Sequence, residues 1–330
     1  MIPSITDSTV KAAIAAISSE SATTQEKIEM LIELAQGLQK KPQTAQDLWS
    51  AVRLYERANE ICGEDYPLLK ARAKVGIAGA LKTIPDEGTK LLLEAKTVYK
   101  EALPILQQLA SPEEVAEAQM NLGLVLQSLV PFNLAKISDS IKAYQEALRV
   151  FTWQNYPQEY AILHNNIAIA YLSIPAGLEQ KHLCEGLAVQ TFESALKQIN
   201  LIDNPREYAM LQNNLGNALQ YLQSIHPIEN NLRAIAAYNE ALKVRNSHDT
   251  PLEYANTISN KANALFNLPD DPQSPESGNP QNLLKARNYY QEAWRIYTQS
   301  QHLEQAQLVA QALQELEIEI NIRDEAGMET

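Results

Sequence analysis

Residues 205–219 read PREYAMLQNNLGNAL, and the chain contains two related copies of this stretch. The copies are PQEYAILHNNIAIAY at residues 157–171 and PLEYANTISNKANAL at residues 251–265. Each copy begins with a proline, and Pro67 and Pro112 extend the series, at intervals of 45, 45, 48 and 46 residues. Internal repetition at this period is typical of proteins built from stacked copies of one supersecondary unit.

A second feature recurs 32 to 39 residues after each proline. It is an aromatic residue that is followed, three residues later, by an alanine. Apolar residues around these positions recur at three- and four-residue spacing, which predicts an amphipathic helix. Proline also suits the first turn of a helix, because its missing N–H would have no partner there. Each repeat therefore predicts two helices. The aromatics are Tyr99, Tyr144, Phe192, Tyr238 and Tyr290.

The same frame extends towards both ends of the chain. Trp49, Tyr55 and Ala58 match a second helix, and Ala306 to Ile320 carry an apolar stripe that predicts a terminal capping helix. We therefore expect an all-α, right-handed solenoid of about six helix pairs, forming a single domain over residues 1–330. Its expected parts are an N-terminal cap at 1–23, helix pairs at 24–300, a C-terminal capping helix at 301–322 and a tail at 323–330.

The repeat resembles those of the tetratricopeptide-repeat superfamily. The residues that carry the resemblance are the Asn-Leu-Gly segments at 121–123 and 214–216, followed in one repeat by Ala234, Tyr238 and Ala241. The resemblance covers roughly residues 24–322, with a period of 45 to 52 residues from aromatic to aromatic. It is closest to long-period arrays of cyanobacteria and other bacteria, and it implies an array of helix pairs that binds another protein.

An asparagine stands nine residues after four of the prolines, at Asn121, Asn166, Asn214 and Asn260. Asparagine is a mediocre helix former, so its return in the middle of a helix predicts a specific role. Its amide offers the donor and the acceptor that a peptide backbone requires. The resemblance implies that these asparagines line a concave groove and hydrogen-bond the main chain of an extended peptide. The alternative is that they bond across helices within the stack.

Other residues at helical spacing from this row belong to the same predicted face. They are Asn165, Asn213, Asn217, Asn263, Met210, Tyr221 and Phe266. In the repeat that begins at Pro67, glycine replaces the asparagine, and Arg72 and Lys82 share the face. This pair predicts an anchor for a carboxylate of a ligand. A solvated basic patch is the alternative interpretation.

Composition excludes several classes of function. The formal charge of −13 argues against a nucleic-acid partner, which a basic face would attract. Cys62 and Cys184 are the only cysteines and form no CxxC pair, so we expect no metal site, and reduced thiols suit a cytoplasmic protein. The longest nearly apolar run, residues 167–178, is too short to cross a bilayer, so we expect no membrane insertion.

The chain also lacks the sequence signals of catalysis. Its five histidines are scattered, and neither an HExxH motif nor a glycine-rich phosphate loop is present. We therefore expect no enzyme activity and no cofactor. The sequence predicts an adaptor, scaffold or assembly factor that binds a peptide segment or helix of another protein in the concave groove. The alternative is a regulatory sensor whose curvature changes when a small ligand or short peptide binds, and homodimerisation through a terminal helix stays open.

Overall fold

The computed structural model describes residues 8–19, 21–85, 88–174, 178–222, 226–275 and 278–328. All of the regular secondary structure in these ranges is helical. Residues 1–7 and 20 of the expected N-terminal cap, and residues 329–330 of the expected tail, lie outside the described ranges. Contacts group the chain into two compact units, residues 1–152 and 153–330. The single domain over residues 1–330 stays a prediction of the sequence.

The first unit contains seven α-helices in the part of it that is described, and a 3₁₀ turn at Val130–Phe132. Consecutive helices pack as the pairs α2 with α3, α4 with α5 and α6 with α7, and α1 packs on α2. The helices are α1 Ser8–Ser19, α2 Thr24–Lys40, α3 Ala45–Cys62, α4 Pro67–Thr83, α5 Lys90–Leu109, α6 Pro112–Leu129 and α7 Ile137–Leu148.

The second unit continues the pattern with seven further helices in its described residues. The pairs are α8 with α9, α10 with α11 and α12 with α13, and α14 packs on α13. The helices are α8 Pro157–Leu172, α9 Leu178–Leu196, α10 Pro205–Tyr221, α11 Pro227–Ala241, α12 Pro251–Phe266, α13 Pro280–Gln299 and α14 Leu303–Met328. Helix α14 continues past residue 322, where the sequence predicts that the capping helix ends. Six helix pairs with a further helix at each end confirm the predicted all-α array.

The helices begin where local chemistry favours a start. Proline occupies the first turn of α4, α6, α8, α10 and α12, as the sequence predicts. Thr23 and Glu26 form a capping box at the start of α2, with Thr23 N donating to Glu26 Oε2 at 2.7 Å. These starts fix the register of the first helices of the six pairs, which are α2, α4, α6, α8, α10 and α12.

The aromatic residue of each second helix lies in the core between the two helices of its pair. Tyr99, Tyr144, Phe192 and Tyr238 have no exposed surface. Alanine or glycine on the first helix leaves room for the ring, so the two helices approach closely. Within the described residues, no helix is both long enough and apolar enough to cross a membrane.

Candidate functional site

Four of the predicted groove asparagines form one chain of hydrogen bonds in the second unit. Asn213 Nδ2 donates to Asn214 Oδ1 at 2.9 Å, and Asn214 Nδ2 donates to Asn165 Oδ1 at 2.6 Å. Asn165 Nδ2 then donates to Asn166 Oδ1 at 3.3 Å. Because Asn214 lies on α10 and Asn165 on α8, these hydrogen bonds join the two helices, and Asn165 and Asn213 are buried. At these residues the asparagines bond across helices within the stack, which is the alternative that the sequence left open. The Asn166 Nδ2 atom has no partner among the described residues.

Two further predicted asparagines hold the buried tyrosines of the second helices. Tyr238 Oη accepts a hydrogen bond from Gln220 Nε2 at 2.5 Å and donates to Asn217 Oδ1 at 2.7 Å. Tyr290 Oη donates to Asn263 Oδ1. Burial raises the pKa of both tyrosines, so their hydroxyls stay protonated and able to donate. The side-chain oxygens of Asn217 and Asn263 therefore already accept a hydrogen bond, whereas their Nδ2 groups donate none within the described structure.

The remaining predicted residues of the second unit offer apolar surface and one weakly held amide. Asn260 Nδ2 donates to Asn256 Oδ1 at 3.3 Å, and Asn260 Oδ1 has no partner among the described residues. Tyr221, at the end of α10, is 65% exposed, while Met210 and Phe266 are partly buried. The first helices of this unit thus combine unpaired amide atoms with exposed aromatic surface, which together can bind a polypeptide.

The first unit contains a groove of about 620 Å³ between its first helices. Both predicted anchor residues, Arg72 and Lys82, line this groove, and so does Asn121. Lys82 Nζ donates to Asn121 Oδ1 at 2.7 Å, and Asn121 Nδ2 donates to Glu117 O at 3.0 Å. The structure thus brings Lys82 of α4 and Asn121 of α6 together.

The two predicted anchors differ in their partners. Arg72 forms two hydrogen bonds of 2.8 Å to Glu114, one from Nε and one from Nη2. This pairing raises the pKa of Arg72 and lowers the pKa of Glu114, so a carboxylate of the protein itself already neutralises the guanidinium. No carboxylate of the described residues lies within 4.0 Å of the Lys82 ammonium. Burial lowers the pKa of Lys82.

Three groove residues are absent from the sequence-based set. Gln39 Oε1 accepts from Tyr55 Oη at 3.0 Å, Tyr99 Oη is buried without a partner, and Gly79 lies beside both side chains. One signal pointed to Gln39, because it precedes Tyr55 by 16 residues, much as Gln127 precedes its hydrogen-bonded partner Tyr144 by 17. No sequence pattern marks the unpaired hydroxyl of Tyr99.

The described structure also shows where metal-ligating side chains and thiols lie. Among its residues, no group of three or more His, Cys, Asp and Glu side chains is placed to hold a metal ion. Cys62 and Cys184 are buried free thiols, and burial raises the pKa of each, which disfavours the reactive thiolate.

Comparison with solved structures gives a fold match over most of the chain. A signal-transduction ATPase with a tetratricopeptide-repeat sensor, from Pyrococcus horikoshii, superposes with a TM-score of 0.56 at 18% identity. The match covers 91% of this chain and 42% of that protein, so this chain spans less than half of its length. The match confirms a tetratricopeptide-like fold, as the sequence predicts.

Two other solved structures are more distant. BtubC from P. vanneervenii matches at 19% identity and a TM-score of 0.43, over 72% of this chain and 92% of that one. A Rap protein in complex with Competence and Sporulation Factor matches at 12% identity and a TM-score of 0.40, over 93% of this chain and 79% of that one. Comparisons with family models and with curated proteins found no match.

Proposed function

We propose that the first-helix face of the second unit binds an extended segment of another protein, and that the chain is a non-catalytic adaptor, scaffold or assembly factor. The observation that carries this proposal is the row of amide atoms on α8, α10 and α12 that have no hydrogen-bond partner among the described residues. They are Asn166 Nδ2, Asn217 Nδ2, Asn260 Oδ1 and Asn263 Nδ2. The two buried free thiols support a cytoplasmic location.

The main chain of the bound segment would contact the amide atoms of this face, and its side chains would contact the exposed aromatic surface. Main-chain carbonyls of the bound segment accept from the Nδ2 groups, and a main-chain N–H donates to Asn260 Oδ1. An apolar side chain of the segment packs on the exposed ring of Tyr221. The internal chain from Asn213 to Asn166 holds Asn166 in position, so little side-chain entropy is lost on binding.

The test begins with a displayed library of random peptides selected against the full chain. The selected peptide is synthesised, and its affinity is measured by fluorescence anisotropy with wild-type protein and with a face variant, Asn166→Ala, Asn260→Ala and Tyr221→Ala. These positions were chosen because their own hydrogen bonds are long or absent, so the fold should survive. We expect the dissociation constant to rise about tenfold or more, since several contacts are lost together.

A matched control removes two amides and one apolar side chain elsewhere on the same unit. It carries Asn155→Ala, Gln190→Ala and Leu183→Ala, all at exposed positions away from the first-helix face. The proposal requires wild-type affinity in this control. Equal affinities for the face variant and wild type would overturn it.

A further inference from the structure

We infer that the groove of the first unit is a binding site for the carboxylate group of a small molecule, held by Tyr99, Gln39 and Lys82. This site goes beyond the protein-binding face proposed for the second unit and does not depend on it. All three side chains line the same groove.

The first observation is an unused donor at the bottom of the groove. The Tyr99 side chain has no exposed surface, and its hydroxyl makes no hydrogen bond to any described residue. The tyrosines at the equivalent position of four other pairs all bond to a glutamine or asparagine of the first helix: Tyr55, Tyr144, Tyr238 and Tyr290. A buried hydroxyl without a partner costs stability, so a bound acceptor at Tyr99 would relieve that cost.

The second observation is the absence of a side chain on Gly79, beside this hydroxyl. A Cβ atom on Gly79 would lie 3.4 Å from Tyr99 Oη and 2.8 Å from Gln39 Nε2. Two donors therefore converge over a bare backbone position. Gln39 uses its oxygen for Tyr55, which leaves its Nε2 group turned away from that bond and available to a ligand.

The third observation is the charge of Lys82. Lys82 lines the same groove and is half-buried, and among the described residues its ammonium group hydrogen-bonds the neutral amide of Asn121 and no carboxylate. Glu117 lines the same groove and favours the charged form of Lys82 from beyond ion-pair distance, and an anion in direct contact would stabilise the ammonium further. The neighbouring cation, Arg72, is already paired with Glu114 and adds no free charge.

These groups select the chemistry of the ligand. An ammonium, a phenol hydroxyl and an amide NH₂ all donate, so the ligand must present acceptor oxygens. One ammonium without a direct ion-pair partner among the described residues, with Glu114 and Glu117 on the same wall, favours a monoanion over a phosphate dianion. The groove volume of about 620 Å³ lies in the range of small-molecule sites.

The experiment measures melting temperature and isothermal titration heats of the full chain with named probes at constant ionic strength. The probes are the free α-amino acids, C2–C6 monocarboxylates, the neutral amides of both sets, and inorganic phosphate. We expect at least one carboxylate to stabilise the wild type saturably while its amide does not.

Glycine variants separate the site from the fold. Gly79→Ala places a methyl group between the two donors, and only the flexible end of Gln39 must shift to admit it. Gly37→Ala is the matched control, because a Cβ there meets no atom within 4 Å. We expect the carboxylate to bind Gly37→Ala like wild type and to bind Gly79→Ala and Tyr99→Phe about tenfold or more weakly.

The other outcomes overturn the inference. Absence of saturable binding by every carboxylate removes the site, and equal binding by the neutral amides or by phosphate removes its assignment to a carboxylate. Binding that survives in Gly79→Ala places the ligand elsewhere. The three-residue face variant of the second unit should keep carboxylate binding, so failure of either proposal is distinguishable from failure of the other.

Discussion

The ring of Tyr238 occupies the space that a side chain on Gly216 would need: a Cβ atom there would lie 2.5 Å from Cε1 of the ring. In the first unit, a Cβ atom on Gly123 would likewise lie 2.4 Å from Cε1 of the Tyr144 ring. Tyr238 is fully buried and its hydroxyl is held by Gln220 and Asn217, so the ring has no room to move aside. Glycine in these helices is thus required for packing of the pair.

Replacing Gly216 by alanine should destabilise the second unit, although alanine is the better helix former. The added methyl group overlaps a fixed ring, and such overpacking costs about 1–3 kcal/mol. Gly37→Ala, which meets nothing, should stabilise the protein by about 0.5–1 kcal/mol. Urea unfolding followed by circular dichroism compares the two. Equal midpoints for both variants would show that the ring yields to the methyl group.

Removal of a tyrosine hydroxyl should have opposite consequences in two pairs. Tyr238→Phe breaks two hydrogen bonds and leaves Gln220 and Asn217 without their partner, which should cost about 1–3 kcal/mol. Tyr99→Phe removes a buried hydroxyl that has no partner among the described residues, so stability should stay the same or rise. Urea unfolding of each variant at neutral pH measures the difference. A loss at Tyr99 as large as that at Tyr238 would mean that its hydroxyl is bonded in solution.

The bond between Asn214 and Asn165 should appear as a coupling energy between α10 and α8. A double-mutant cycle with Asn214→Ala and Asn165→Ala should give a coupling of about 0.5–3 kcal/mol, because the two amides are in direct contact at 2.6 Å. Chemical unfolding of the wild type, both single variants and the double variant supplies the four free energies. Additive effects would contradict the hydrogen-bonded chain.

The ion pair of Arg72 with Glu114 should make stability depend on pH in the acid range. The bond to Arg72 lowers the pKa of Glu114 from its ordinary value of 4.5. Because the folded state binds this proton more weakly than the unfolded state, the stabilisation is complete above about pH 4.5 and is lost as the pH falls through the lower folded pKa. The stability difference between wild type and Glu114→Gln should therefore shrink on acidification. A difference that stays constant down to the acid transition would contradict the pairing.

The helix pairs could be predicted from the sequence because their signals are local. Proline at the first turn, the three- and four-residue spacing of apolar residues, and the return of an aromatic in every repeat each act within one helix or one pair. The structure confirms the six pairs from α2 to α13. The C-terminal end was harder to place, since Asp324 to Met328 carry no helix-ending residue except Gly327, and α14 continues through it.

The partners of the site residues could be predicted only in part. The asparagine row was evident from its spacing, but the bond from Asn214 to Asn165 depends on how two first helices lie against each other. Arg72 likewise bonds to Glu114, which lies 42 residues further along the chain. The sequence therefore predicts Arg72 as an anchor but does not indicate that Glu114 already pairs with it. The missing partner of Tyr99 is a property of three-dimensional packing alone.

The most direct test of the proposed function is the position of the bound segment. The selected peptide, carrying a photoreactive benzoylphenylalanine, is cross-linked to the full chain, and mass spectrometry identifies the labelled residues. We expect labels on α8, α10 and α12, close to Met210, Tyr221 and Phe266. Labels confined to the second helices α9, α11 and α13, for example around Leu183, would contradict it.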